Sequence, residues 1–153
     1  MAAVESKSVG LLPEPEQQRI VAAIAQAEKT TTGEIRVYVE STCAYVDAME
    51  RAKEVFTRLE MDKTEKRNAA LVYVAIKDKQ FALFGDEAIY KLAGGPAFWN
   101  EAGRQMVAHF KESHYGTGIA AAVTAIGVAM AVHFPYDPAV PHNELPDDIV
   151  FGA

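Results

Sequence analysis

Hydrophobic and polar positions predict a β-hairpin near the centre of the chain. Eight apolar residues, rich in β-branched and aromatic types, run from Ala69 to Ile76. A polar turn, 77–79, separates them from a second apolar run, 81–84, which ends at Gly85. Short apolar runs bounded by turn residues are typical of strands that are covered on both faces. The two runs therefore predict a hairpin on which the rest of the fold is built.

A strand and a helix precede this hairpin. Residues 34–40 alternate polar and apolar side chains and are rich in β-forming types, which predicts a strand. Apolar side chains at helical spacing predict a helix that begins near Asp47 and ends near Leu59. A strand, a helix and a strand in this order favour a parallel, right-handed crossover. We therefore expect 34–40 to lie parallel to 69–76, with 81–84 returning antiparallel.

The other segments predict helices that cover this sheet and one short additional strand. The expected fold class is α/β, a three-layer α/β/α sandwich around a small mixed β-sheet of about four strands. Helical patterns occupy 13–29, 88–92, 97–111 and 119–134, with 113–118 as the connection before the last of them, and 149–151 has the length of a final edge strand.

The chain length of 153 residues predicts one domain with a substantial core. A flexible leader is expected over 1–12, the domain over 13–134, and a tail over 135–153. The tail is rich in proline and acidic residues.

Charge and cysteine content narrow the classes of function. The net charge of −6 argues against a nucleic-acid partner, because the phosphates would be repelled. Cys43 is the only cysteine, which excludes an intrachain disulfide and a cysteine-built zinc site. The N-terminal residues lack a basic segment followed by an apolar one, so no secretory signal is predicted and a cytoplasmic location is expected.

The uncharged segment 116–134 is the one candidate for a membrane span. Its strictly apolar part is shorter than the ~20 residues that a span needs, and much of it is alanine. The larger residues recur at helical spacing, which is typical of a helix buried in a domain. No membrane span is therefore expected. These larger residues are Ile119, Val123, Ile126 and Met130.

Catalytic motifs give little support for an enzyme. Residues 116–121 spell G-x-G-x-x-A, but a dinucleotide fingerprint requires a preceding strand, and none is predicted there. Cys43 has no arginine six positions later, as a cysteine-phosphatase loop would require, and is expected to pack as a small hydrophobe. No catalytic residue is assigned, and a non-enzymatic role is favoured.

The most suggestive chemistry lies in the tail. Calcium binds about six to eight oxygens from carboxylates, amides and carbonyls, and prolines could preorganise a loop that supplies them. The segment does not match an EF-hand, and a solvated tail without a ligand is the alternative. The candidate metal ligands here are Asp137, Asn143, Glu144, Asp147 and Asp148.

Further candidate metal ligands follow the predicted strands. Glu40 ends the first strand, Asp78 lies in the hairpin turn, and Asp86 and Glu87 follow the third strand. The predicted topology puts Glu40 and Asp78 at one end of the sheet and Asp86 at the other, beside Asn68. These residues cannot form a single site, and the tail loop could meet either end. Helix N-capping is at least as good an explanation for Asp86 as metal ligation.

Three segments and an alanine-rich final helix together resemble the TPM domain family. The segments are 32–37 (TGEIRV), 67–74 (RNAALVYV) and 81–86 (FALFGD). The family includes thylakoid lumen proteins of photosystem II repair and many bacterial proteins, and the resemblance covers about residues 13–134. It implies an α/β/α sandwich around a small mixed sheet. Without a predicted signal peptide or membrane helix, the chain looks like a stand-alone bacterial form.

The resemblance leaves two main hypotheses about function. Divalent-metal binding, acid phosphatase activity and accessory or assembly roles are all attributed to family members. The first hypothesis is a non-enzymatic module that binds divalent cations, with calcium favoured. The alternative is a metal-assisted phosphatase-type hydrolase, in which Asp86 and Glu87 would hold the ion and Arg67 would meet the phosphate. A plain protein-interaction domain with an unknown protein partner is a third possibility.

Overall fold

The computed structural model describes residues 12–140 and 148–152. Three of the candidate metal ligands, Asn143, Glu144 and Asp147, and nearly all of the expected leader lie outside the described residues. The elements in chain order are α1 (Glu14–Glu28), β1 (Glu34–Glu40), α2 (Ala48–Arg58), a 3-10 turn (Met61–Lys63), β2 (Ala69–Ala75), β3 (Gln80–Gly85), α3 (Glu87–Leu92), α4 (Pro96–Phe110), α5 (Tyr115–His133) and β4 (Val150–Phe151).

The described strands form one mixed sheet with the order β3-β2-β1-β4. β1 pairs in parallel with β2 on one side and with β4 on the other, and β3 runs antiparallel to β2. The predicted parallel pairing of 34–40 with 69–76, the hairpin and the final edge strand are confirmed. β1 and β2 are buried along their whole length, as expected for strands covered on both faces.

Helices cover both faces of the sheet and create two cores. Alternate residues of β1 explain the division: Val37 and Val39 face the layer of α1, α4 and α5, whereas Tyr38 faces α2. The β2 strand divides in the same way, so Val72 belongs to the first core and Tyr73 to the second. The predicted three-layer α/β/α sandwich is therefore confirmed.

The helix α5 has the length and apolar composition of a membrane span. In the structure its large side chains Ile119, Ile126 and Met130 are fully buried in the domain core. Gly127 lies so close to α1 that an added Cβ would come within 2.8 Å of the Cβ of Ala27. This packing is that of a core helix, as the sequence pattern predicts.

Local signals explain where several helices begin. Asp47 caps α2 by accepting a hydrogen bond from the N–H of Met49 at 2.9 Å, and Pro13 stands immediately before α1. The leader predicted over 1–12 includes Leu12, but the Leu12 side chain is fully buried in the core. The backbone carbonyl of Leu12 also accepts a hydrogen bond from the side chain of Gln17. Leu12 therefore packs as part of the domain.

Candidate functional site

The candidate residues divide between the two ends of the parallel strands β1 and β2. We call these the carboxyl end, where β1 finishes at Glu40, and the amino end, where β1 starts at Glu34. Glu40 and Asp78 lie at the carboxyl end, since the N–H of Ile76 bonds to the carbonyl of Glu40 at 2.9 Å as the hairpin turn begins. Asp86 lies at the amino end, where its N–H donates to the carbonyl of Ala69 at 2.9 Å. The predicted separation of these carboxylates is confirmed.

Glu40 is the centre of a buried polar network at the carboxyl end. Its carboxylate accepts two hydrogen bonds from Arg51 of α2, from Nε at 2.9 Å and from Nη2 at 3.0 Å. The hydroxyl of Tyr73 donates a further hydrogen bond to the same carboxylate. The guanidinium of Arg51 also lies 5.7 Å from the ring centroid of Tyr38. Glu40 thus has protein donors for both of its oxygens.

Electrostatics in this network favour the charged guanidinium of Arg51 and the neutral phenol of Tyr73. The hydrogen bond to Glu40 raises the pKa of Arg51, so the guanidinium stays charged. Burial raises the pKa of the Tyr73 hydroxyl, and the bond to Glu40 adds to the effect. The arrangement suits a structural ion pair that joins α2 to the sheet.

Asp78 holds the chain that follows β1. Its Oδ2 accepts a hydrogen bond from the backbone N–H of Cys43 at 2.7 Å. Cys43 is largely buried, and its Sγ contacts the carbonyl of Tyr45 at 3.5 Å. The contact explains why an acid in the hairpin turn lies next to the loop after Glu40.

At the amino end, Arg67 and Asp86 form a bidentate ion pair. Arg67 donates from Nε to Oδ2 at 2.7 Å and from Nη2 to Oδ1 at 2.8 Å, and its Nη1 lies 3.5 Å from a carboxylate oxygen of Glu87. The bond to Asp86 raises the pKa of the Arg67 guanidinium. Asp86 Oδ1 also accepts from the N–H of Glu87 at 2.8 Å, so Asp86 caps α3.

The tail returns to the amino end of β1. The N–H of Thr32 donates to the carbonyl of Phe134 at 3.0 Å, and Tyr136 donates to Thr30 at 3.1 Å. Further along, β4 pairs with β1 in parallel with Val150 opposite Tyr38, which brings the residues before Val150 alongside the first half of β1. The sequence leaves both ends open to the tail; of its described residues, those just after α5 and Asp148 lie at the amino end.

Asp148 interacts electrostatically with Arg36, which is largely buried. Burial lowers the pKa of Arg36, while Asp148 and Glu34 oppose that shift by stabilising the charged guanidinium. Asp137 stands near the other end of the same tail segment, where its Oδ1 accepts from the N–H of Ala139 at 3.0 Å. The described part of the tail therefore contributes Asp137 and Asp148 to the amino end.

The two groups of carboxylates at the amino end cannot share one ion. Asp86 follows β3 and Asp148 precedes β4, so three strand spacings of about 4.8 Å, or roughly 14 Å in all, separate them. Within residues 12–140 and 148–152, no group of three or more acidic, histidine or cysteine side chains could hold a metal ion. A metal site on the tail would therefore need ligands from 141–147 in addition.

Sequence reasoning missed three residues that dominate these networks: Arg51, Tyr73 and Arg36. A signal for two of them is visible, because Arg36 and Glu40 share the polar phase of β1 and the β1–β2 register puts Tyr73 opposite Tyr38. The role of Arg51 had no such signal, since it depends on where α2 lies along β1.

Comparison with known proteins identifies the family to which this fold belongs. A family model described as the TPM domain matches residues 6–129. The BA42 protein from the psychrophilic bacterium Bizionia argentinensis is similar in structure, with a TM-score of 0.81 and 37% sequence identity over 90% of this chain and 93% of that chain. The N-terminal domain of the cg2496 protein from Corynebacterium glutamicum shares the fold, with a TM-score of 0.63 and 15% identity over 79% and 75% of the two chains. Among curated proteins, no match is found. The chain belongs to the TPM domain family.

Proposed function

We propose that this protein is a non-enzymatic accessory module that binds a divalent cation, preferentially calcium, in the segment 137–148, which we call the acidic loop. One observation carries the proposal: the parallel pairing of β4 with β1 brings Asp148 alongside the amino end of β1. The described residues before and after 141–147 are thus attached to β1 and to the segment just before it by backbone pairing.

Both ends of the acidic loop are held by backbone hydrogen bonds. Before the loop, Pro135 forms a bridge with Thr31. After it, the N–H of Gly152 donates to the carbonyl of Val39 at 2.8 Å. Anchored ends reduce the conformational entropy that ligands lose when they close around an ion, which favours binding.

The chemistry of the loop suits a hard cation. Asp137 and Asp148 supply carboxylates from the described residues, and Asn143, Glu144 and Asp147 would supply the remaining oxygens. Together they offer the carboxylate and amide donors that calcium takes in proteins, about six to eight in number when carbonyls and waters are included. Arg36 and Glu34 would then tune the local charge around Asp148.

The other candidate carboxylates have structural roles in this proposal. Glu40 accepts from Arg51 and Tyr73, Asp78 accepts from a backbone N–H, and Asp86 pairs with Arg67. A metal ion at Glu40 or Asp86 would have to compete with an arginine, and Asp78 belongs to no group of three or more acidic, histidine or cysteine side chains among the described residues that could form a metal site. The acidic loop is therefore the preferred position.

The hydrolase alternative assigns Arg67 to a phosphate group. Arg67 already donates two hydrogen bonds to the buried carboxylate of Asp86, and its Nη1 faces Glu87. A phosphate would have to compete with both acids for the same guanidinium. This arrangement favours the binding module over the hydrolase.

The test is a calcium titration of chelator-stripped protein, followed by amide NMR and thermal melting. We expect shifts confined to the acidic loop and its neighbours on β1, and a melting temperature that rises with calcium concentration. The double variant Asp147→Asn with Asp148→Asn should lose both effects. The matched control is Glu50→Gln with Glu112→Gln, which removes the same charge from two exposed positions outside the loop.

An unchanged calcium affinity in the loop variant would place the ion elsewhere and reject this site. Absence of any shift or stabilisation in the unmodified protein would return the acidic loop to a solvated tail. A steady turnover of phosphomonoesters with calcium, magnesium or manganese would instead support the hydrolase.

A further inference from the structure

The two edge strands of the sheet differ in length. β4 forms one edge and has only two residues, which is a common way to blunt an edge strand. β3 forms the other edge with six residues, Gln80–Gly85, and contains neither proline nor a charged residue. A long, uncharged edge is a template for pairing with another chain unless something protects it.

Hydrogen-bond alternation identifies which groups of β3 point away from the sheet. The N–H of Asp86 donates to Ala69 of β2, so alternate residues before it, including Ala82, also bond inward. The backbone N–H and C=O groups of Phe81 and Leu83 therefore point outward. No residue in 12–140 or 148–152 makes a hydrogen bond to these outward groups.

A groove of about 430 Å³ lies along this edge. Phe81, Ala82 and Leu83 line it from β3, and the start of α2 and the first half of α4 line it from either side. Asp47 stands on the α2 side and Trp99 on the α4 side. The edge is therefore recessed between two walls that belong to opposite helical layers.

We propose that this groove binds an extended peptide segment of a partner protein, which adds to β3 as a further strand. Main-chain hydrogen bonds to Phe81 and Leu83 would provide the affinity, as in other cases of strand addition. A second copy of this chain is a poorer occupant, because its own β3 edge is recessed between the same two walls. A single extended segment meets no such obstruction.

The walls define the chemistry of the segment. Side chains that point toward α4 would meet Leu83, which is almost completely buried, and the ring of Trp99, so apolar residues suit this part of the face. Asn100 and Arg104 also line this wall, and Arg104 is paired with Glu101. Gly103 on the same wall lets α4 pack closely on β3, since an added Cβ would come within 3.3 Å of the Phe81 ring. Side chains that point toward α2 would meet Asp47, so basic or polar residues suit that face.

The groove is independent of the proposed metal site. The sheet order puts β3 and β4 at opposite edges, with β2 and β1 between them. A failed calcium titration would therefore leave the groove untouched. The peptide experiment is done with chelator present, so that the two ideas are tested separately.

The experiment uses a blocked hexapeptide that alternates valine and lysine, titrated into the isotopically labelled full chain. We expect amide shifts at Phe81 and Leu83 and at their neighbours Met49 and Trp99, with slower hydrogen exchange at Phe81 and Leu83. Two further peptides carry N-methyl groups on either the valines or the lysines. Because only alternate residues of the added strand bond to β3, one of these peptides should lose at least tenfold in affinity and the other should keep it.

Variants of the protein provide a second control. Asn100→Trp fills the exposed α4 wall of the groove and should weaken binding at least tenfold. Ala108→Trp makes the same change at an exposed position of α4 outside the groove and should leave binding unchanged. The inference is overturned if the parent peptide gives no shifts at β3, if both methylated peptides bind as well as the parent, or if the protein without peptide dimerises with protection of Phe81 and Leu83.

Discussion

Arg51 of α2 donates two hydrogen bonds of nearly equal length to the carboxylate of Glu40 at the end of β1. The donor-to-oxygen distance is 2.9 Å for Nε and 3.0 Å for Nη2. Both side chains are largely buried, with 14% and 8% of their surface exposed. α2 is the one described helix that covers its face of the sheet, so this pair fixes its position. A carboxylate at a strand end, which resembles a metal ligand in the sequence, here has an arginine as its cation.

Replacing Arg51 should strongly destabilise the fold. Arg51→Met leaves the buried carboxylate of Glu40 without its charged partner, which we expect to lower the free energy of unfolding by about 3 kcal/mol. Urea denaturation measures the change. Arg104→Met is the control, because it removes an exposed pair with Glu101 and should cost no more than about 0.5 kcal/mol. Equal losses in the two variants would show that the Arg51 pair is not a structural bond.

Asp86 combines a helix cap with an ion pair, and two substitutions separate the roles. Asp86→Ala removes both and should lower the free energy of unfolding by at least the ~1 kcal/mol of a lost N-cap. Asp86→Asn keeps the capping oxygen and loses the charge that Arg67 binds, so it should cost less than the alanine variant. Denaturation of both variants, with exposed Glu65→Gln as control, makes the comparison. If asparagine proved as harmful as alanine, the cap would contribute nothing.

The hydrophobic pattern is sufficient to predict the helices, the strands β1, β2 and β3, and the pairing of these three strands. The apolar run before the hairpin, the alternation in β1 and the order strand, helix, strand determine the parallel pairing of β1 with β2 and the antiparallel return of β3. The sequence also identifies Asp86 as a candidate helix N-cap, because an acidic residue directly after a strand and before a helical pattern is a common N-cap. These features depend on local sequence, which a single chain displays directly.

The candidate sites were harder to predict because they depend on distances between elements. The apolar positions of α2 set which side of the helix faces the sheet, but the sequence does not set how far α2 lies along β1, and that offset decides whether Arg51 reaches Glu40. The direction of β4 was equally undetermined, since two paired residues at the chain end carry almost no pattern. That direction decides which end of the sheet Asp148 meets.

Close contact between β3 and α4 should make Gly85 intolerant of a side chain. An added Cβ would lie 2.5 Å from the Trp99 ring, which is rigid and almost buried, so Gly85→Ala should cost about 1–3 kcal/mol of unfolding free energy. Gly33→Ala is a matched control, because its Cβ would meet the flexible thioether of Met130 at the same distance. Thermal melting should rank Gly85→Ala as the less stable variant, and the reverse order would mean that the Trp99 ring moves more easily than Met130.

The buried hydroxyl of Tyr73 predicts a loss of stability in alkaline solution. Burial raises its pKa in the folded protein above the ordinary value of about 10, so above that pH the unfolded chain releases a proton that the folded chain retains. Stability from this group is complete below about pH 10 and declines above it, by up to about 1.4 kcal/mol per pH unit.

Substitution of Tyr73 by phenylalanine isolates this effect. At pH 8, Tyr73→Phe should be less stable than the unmodified protein by about 1 kcal/mol, because the hydrogen bond to Glu40 is lost. As the pH rises from 9 to 11, the gap should narrow, since only the unmodified protein carries the penalty of Tyr73 ionisation. Urea denaturation across this range tests the trend, with the half-exposed Tyr136→Phe as control. A gap that stays constant or widens would mean that Tyr73 ionises as easily in the folded state as in the unfolded chain, despite its complete burial.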